Sequence, residues 1–170
     1  MRPRRIAALV ITAAAAIVLA AATLAQPPEG FLVPGPAAIP LGFRLLFRSF
    51  TDAQYAQQYG SDDDQSQLNI SEHTAAAGAS YQQQSASLER MRHNRHGFIP
   101  KKIRDITWRG LTGAIYTTER DTAPNMFLLL DDGGRLLTIW ARSGAVHRFG
   151  PDDLRAMLDG FERQGAAVAR

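Results

Sequence analysis

The chain contains no cysteine among its 170 residues. That excludes disulfides, thiolate metal sites, thiol catalysis and lipid attachment through a lipobox cysteine, so the folded part holds together by core packing. Other signatures are missing as well. No G-x-S-x-G elbow anchors a serine nucleophile, and neither internal repeats nor coiled-coil heptads occur. Charge of one sign is also scarce. The formal net charge of +3 arises from 19 basic and 16 acidic residues, and Arg2, Arg4 and Arg5 account for the excess. The pI of about 9.7 is therefore a topology signal, and no nucleic-acid partner is expected.

What the chain does have begins at its first residues. "MRPRR" is followed by "IAALVITAAAAIVLAAATLA", residues 6–25, which carry no charge. A positive segment before an apolar run is an export signal. Twenty residues at 1.5 Å each span about 30 Å, the thickness of a bilayer core. The run is either a cleaved signal peptide or a single transmembrane anchor with its arginines on the cytoplasmic side. Small residues ending at Ala25 suit cleavage, and the length suits an anchor. The domain is thus expected outside the cytoplasm, membrane-bound through residues 6–25, or secreted or periplasmic if cleavage follows Ala25. Residues 26–40, "QPPEGFLVPGPAAIP", hold five prolines and two glycines and read as a stiff linker. The extracytoplasmic domain is placed at residues 41–165.

Within the domain the apolar period changes from two to 3.6. Alternation predicts strands in "GFRLLFRSF", with Phe43, Leu45 and Phe47 on one face, and in residues 53–60 and 66–74. Composition favours a helix over 74–92, with Gly78 as its weak point. Further strands are predicted over 102–110 and 112–120, followed by a hairpin in "MFLLLDDGGRLLTIWA". A last helix is marked by Gly150 as N-cap, Pro151 at its first turn, and Leu154, Met157, Leu158 and Phe161 at i, i+3, i+4 and i+7, with Gly165 to close it. The expectation is an α+β fold: a curved antiparallel sheet of five to seven strands, the C-terminal helix on one face. The hairpin strands are apolar on both faces, so something is expected to cover the second face: the 74–92 segment, the linker, a partner or an apolar ligand.

"IPLGFRLL", "LNISEH", "ITWRGLTGAIYTTE" and "LLTIWA…GPDDLRAMLDGF" together span residues 39–164. On these motifs the chain resembles a bacterial extracytoplasmic domain family of unknown function, found behind one membrane helix in anti-sigma-factor-like and sporulation-linked proteins. The resemblance implies an architecture like that of periplasmic lipoprotein carriers and sigma-factor regulators. A photosystem-P-like lipoprotein domain is similar at its closing strand pair and helix. Neither likeness passes on catalytic residues.

Candidate sites are few. Asp131 and Asp132 form the obvious carboxylate pair, but neighbours in a strand diverge, and Asp-Gly between two apolar runs is a hairpin signal. "SDDD" at 61–64 reads as a solvated turn, because it lacks the spacing of a calcium loop. His93 and His96 share helical spacing, yet no carboxylate beside them completes a metal site. No cofactor, metal or catalytic residue is expected. Two binding candidates remain. Arg90, Arg92, Arg95, Lys101, Lys102 and Arg104 follow a stretch without Lys or Arg and form a candidate patch for an anionic lipid, cell-wall polymer or envelope protein. Trp108, Phe127, Leu129 and Trp140 form a candidate apolar-ligand face. The sequence thus points to a non-enzymatic binding, sensing or envelope-interaction module, or alternatively a periplasmic carrier of a lipid on its sheet.

Overall fold

The computed structural model describes residues 27, 29–62, 65–90, 99–118 and 125–165, so the apolar run at 6–25 lies outside the described residues. Among the described residues no helix is long and apolar enough to cross a membrane. The elements in chain order are β1 (Leu32–Pro34), β2 (Phe43–Thr51), β3 (Gln54–Ser61), β4 (Gln67–Thr74), α1 (Tyr81–Arg90), β5 (Pro100–Trp108), β6 (Leu111–Thr118), β7 (Asn125–Asp131), β8 (Arg135–Arg142), α2 (Pro151–Met157) and β9 (Phe161–Arg163). Single turns of 3-10 helix at Pro36–Ala38 and Leu158–Gly160 complete the set.

Two antiparallel meanders, β2–β4 and β5–β8, join where β4 pairs with β8. They make one seven-stranded sheet in the order β2-β3-β4-β8-β7-β6-β5. Two of its hairpins close on two-residue turns with both residues at positive φ: Arg109 at 49° with Gly110 at 80°, and Gly133 at 60° with Gly134 at 96°. That geometry matches the twist of the flanking strands, and the glycines adopt it without strain.

The side chains of Tyr55, Leu68, Ile70, Ile115, Leu128, Leu130, Leu137 and Ile139 line the inner face, all buried. Over them lies a cap built from both ends of the domain, with Leu32, Ala38, Leu154, Leu158 and Phe161 buried against the sheet. In it, β1 and β9 form a separate two-stranded antiparallel sheet. The outer face has two halves. Over β5–β7, α1 packs Leu88 and Tyr81 against Ala114, Tyr116, Phe127, Leu129 and Leu136. Over β3 and β4 the outward residues Ala56, Gln58, Asn69 and Ser71 suit a wet face. The mid-chain segment is therefore what covers the apolar half.

Three sequence expectations change. Phe43, Leu45 and Phe47 do not share a face, because a bulge between Leu45 and Phe47 adds a residue and flips the alternation. The proline-rich stretch is not a free linker as far as Phe31–Ala38 is concerned: Phe31, Leu32 and Ala38 are buried, and Leu32–Pro34 pairs with β9. Proline tolerates this because a two-stranded sheet has only edges. The packed domain therefore begins about ten residues before position 41. The last helix starts as expected, with Pro151 at its first turn and Asp153 Oδ2 accepting from Gly150 N at 2.7 Å. It ends at Met157, however, and the chain turns to deliver Phe161 as the first residue of β9.

Candidate functional site at the sheet edge

The edge strand β2 is the least buried part of the large sheet. Leu45, Leu46 and Phe47 are 40, 50 and 55% exposed, and Leu41 just before the strand is 96% exposed. The cause is local. β2 is the outermost strand of its meander, and the bulge turns Leu46 out of the pleat while Phe47 faces the outer side. Gly60, opposite Arg44, leaves room there: a Cβ on it would approach Leu46 Cδ1 to 2.8 Å.

Beside this edge runs an open groove of about 460 Å³, walled by Pro34–Pro36 and Ile39–Gly42 on one side and Phe43, Arg48, Gln57 and Tyr59 on the other. Its base is polar and internally matched, with the Tyr59 hydroxyl donating to Gln57 Oε1 at 3.0 Å. Burial pushes the Tyr59 phenol up, and the Arg48 cation partly offsets that. Arg48 lies 5.7 Å from the Phe50 ring centroid, a cation over an aromatic face. The arrangement offers one cation, a hydrogen-bonding floor and apolar walls, which suits an anionic or carbonyl group with apolar substituents. Sequence reading missed Arg48 because strand parity misplaces it until the bulge is known.

A second cluster is sealed inside. Glu72 of β4 and Asp132 of the β7–β8 hairpin are fully or almost fully buried. Glu72 Oε2 accepts from Leu32 N at 2.6 Å, and the Tyr55 hydroxyl donates to Leu32 O. Arg163 of β9 donates to Asp132 Oδ2 at 2.8 Å and to Gly30 O at 2.6 Å. Arg135 adds a second cation, its Nε 3.6 Å from Glu72 Oε1 and 3.5 Å from Asp132 Oδ2. Burial and the facing Asp132 carboxyl push Glu72 up to about 8, so it carries the proton near neutrality. Burial also acts upward on Asp132, but hydrogen bonds from Arg163 and Glu72 outweigh it and hold that carboxyl below its ordinary value. The cluster ties both strands of the cap to the sheet. Glu72 follows Leu68 and Ile70 at period two, so its inward position was readable; its partners, far away in sequence, were not.

The other sequence candidates scatter. Asp131 and Asp132 diverge as expected, Asp131 outward within reach of Gln82 Nε2 at 3.4 Å, Asp132 inward. Arg92, Arg95, His93 and His96 lie outside the described residues. Arg90 turns back to its own helix, donating to Ala86 O at 3.0 Å. Lys102 and Arg104 lie on opposite sides of β5, across a second bulge. Lys102 Nζ is 2.6 Å from Asp105 and 3.7 Å from Glu89, and Arg104 meets Asp152 at 2.5 Å. Lys101 also has interactions of its own. Phe127, Leu129 and Trp140 share the outer face, with Phe127 and Trp140 rings 6.4 Å apart. Trp108 is on the inner face, 3% exposed, its indole donating to Asp159 Oδ1 at 3.0 Å. Among the described residues no three His, Asp or Glu side chains converge on a metal position. No family model matches the chain, and no curated protein matches it closely enough to show a relationship.

Proposed function

We propose that this chain is a non-enzymatic envelope-interaction module, exported behind residues 6–25, whose recognition surface is the β2 edge and its groove. The observation that carries the reading is the row Leu45, Leu46 and Phe47, exposed along an unpaired strand edge. Edge strands are normally blunted by charge or covered, and an apolar one beside a groove of ligand size suits a binding role. The buried carboxyls fit a structural role better than acid–base chemistry, because neither lines the groove, Asp132 is hydrogen-bonded by Arg163 and Glu72 accepts from Leu32 N. Carriage of a lipid around Phe127, Leu129 and Trp140 has less support, since α1 lies across much of that face.

The test is fractionation of cells expressing the full chain, followed by protease treatment of spheroplasts and a hydrolase screen of the purified protein. A protease-accessible domain outside the cytoplasm, inert toward the substrates, is expected. A cytosolic, protected domain, or steady turnover of any substrate class, would overturn the reading.

A further inference from the structure

We infer that the groove beside β2 is a binding site for a small monocarboxylate with an apolar chain, the acid group on Arg48 and Gln57 and the chain along the proline wall; this rests on the groove being the recognition surface. The cation comes first. Arg44, Lys102, Arg104, Arg135, Arg155 and Arg163 each meet a carboxylate. Arg48 meets none among the described residues, and no Asp or Glu is among those that line the groove. Its guanidinium instead lies 5.7 Å from the Phe50 ring centroid. A guanidinium held against an aromatic face keeps its N–H groups available to an anion.

The floor supplies the second partner. Tyr55, Gln57 and Tyr59 alternate along β3 on the inner face of the sheet, and Gln57 sits opposite Arg48. Gln57 is 8% exposed and lines the groove, so it is a buried polar side chain facing an open space. Its Oε1 accepts from the Tyr59 hydroxyl at 3.0 Å, which orients the amide and leaves Nε2 without a partner among the described residues. A donor so nearly desolvated costs stability unless a ligand or water accepts from it. Arg48 and Gln57 therefore present donors side by side, with one positive charge between them. That set matches a carboxylate, which is planar, singly charged and accepts from two directions. A phosphate monoester brings a second charge that nothing lining the groove balances.

The walls decide what the carboxylate is attached to. Pro34, Pro36 and Pro40 have no N–H to give. The N–H groups of Gly35, Ile39 and Phe43 are spent on Gly160 O, Pro36 O and Pro40 O. The floor is a sheet face, so its backbone groups are spent in the β2–β3 ladder. A polypeptide carries a polar amide at every residue and finds few partners here. An acyl chain carries none and needs only apolar contact with Ile39, Phe43 and the proline rings. Leu41, 96% exposed at the groove mouth, gains cover from it. The volume of about 460 Å³ is in the lower half of the range for small-ligand sites.

The absence of cysteine gives a clean probe. The full chain is placed in phospholipid nanodiscs with an environment-sensitive fluorophore on L41C, at the groove mouth, or on I103C, in the far edge strand β5. Octanoate should give a saturable change at 41 and none at 103. Octanamide, the same chain without the charge, should bind roughly tenfold or more weakly, and so should octanoate in the R48M background. Q57E keeps an acceptor for Tyr59 but sets a carboxylate against the ligand, and should abolish the change. R142M removes an exposed cation away from the groove and should alter nothing. Thermal melts establish that each variant is folded. Equal binding of octanoate and octanamide, unmoved by R48M, would overturn the carboxylate and leave the groove as the recognition surface. Silence at 41 toward both would overturn the groove as well. A matching response at 103, or an R142M loss equal to that of R48M, would mean non-specific partitioning and overturn the site. A capped peptide with a free C-terminal leucine that binds more tightly than octanoate would assign the groove to chain termini and overturn the small acid.

Discussion

Glu72 makes the domain sensitive to pH in a direction opposite to that of ion-paired carboxylates. Its folded value of about 8 stands above the ordinary 4.5, so within that window the folded protein holds a proton that the unfolded chain has released. Stability therefore falls as pH rises from about 4.5 to about 8. Asp132 acts the other way. Its value is held below 3.8, so its contribution is present above that pH and is lost as acid titrates it. The two together place maximal stability in the mildly acidic range. Thermal unfolding should show a higher midpoint near pH 5 than near pH 8. Glu72→Gln mimics the protonated carboxyl, keeping an acceptor for Leu32 N and offering Asp132 a donor. The variant should lose most of the midpoint difference between the two pH values. A wild-type midpoint that rises toward pH 8, or a difference unchanged in the variant, would show that Glu72 is ionised in the folded state. Asp132→Asn should destabilise at both pH values, because it strips the anion from Arg163 and Arg135.

At the scale of elements, the strands built on clean alternation were legible and those built on exceptions were not. The inward sequence of Leu68, Ile70 and Glu72 and the doubly apolar β7 and β8 follow directly from period two. The two bulges have no composition signal, and the first one reassigns Phe47 and Arg48. The cap was hidden for a different reason. Proline counts exclude a helix or a central strand at 26–40, but they do not exclude a three-residue strand whose only partner is another edge, and β1 is that case. The stripe Leu154, Met157, Leu158 and Phe161 correctly marked four buried residues; it could not show that the helix stops at Met157. Gly160 is the physical reason for the close packing that follows. A Cβ there would meet Ala38 N at 2.5 Å and Ala37 C at 2.8 Å, both backbone atoms. Gly160→Ala should therefore destabilise by about 1–3 kcal/mol, read as a lower denaturant midpoint with the slope unchanged. Asp153→Ala removes the acceptor for Gly150 N and should lose about 0.5–1.5 kcal/mol. If Gly160→Ala proved neutral, the approach of the Pro36–Ala38 turn to the C-terminal turn would be looser than the geometry implies.

Taken whole, the molecule is two meanders that share one pairing, β4 with β8, and one cap that spans both. A sheet joined along a single seam invites independent opening of its halves, and the cap is what opposes this. Phe161 concentrates that role. It is fully buried, it begins β9, and its carbonyl accepts from Arg109 Nη1 at 3.3 Å, reaching the β5–β6 turn from the strand that pairs with β1. Phe161→Ala should cost about 3–5 kcal/mol, a large share of the roughly 5–15 kcal/mol that holds a domain folded. The loss should reach both meanders together. Trp108 and Trp140 both lie in the β5–β8 meander, so the first meander needs a probe of its own, a tryptophan in place of half-buried Phe50 of β2. In two single-tryptophan versions, one with W140F that keeps Trp108 and one with Phe50→Trp in the W108F/W140F background, denaturant curves should coincide in the native background and shift together with Phe161→Ala. If the cap were a local cover and not a clamp, the Trp108 transition would move alone and the two curves would separate. Coincident curves would mean that the proline-rich entry segment and the last strand, the two parts of the chain that look most like loose ends in sequence, set the stability of the entire sheet.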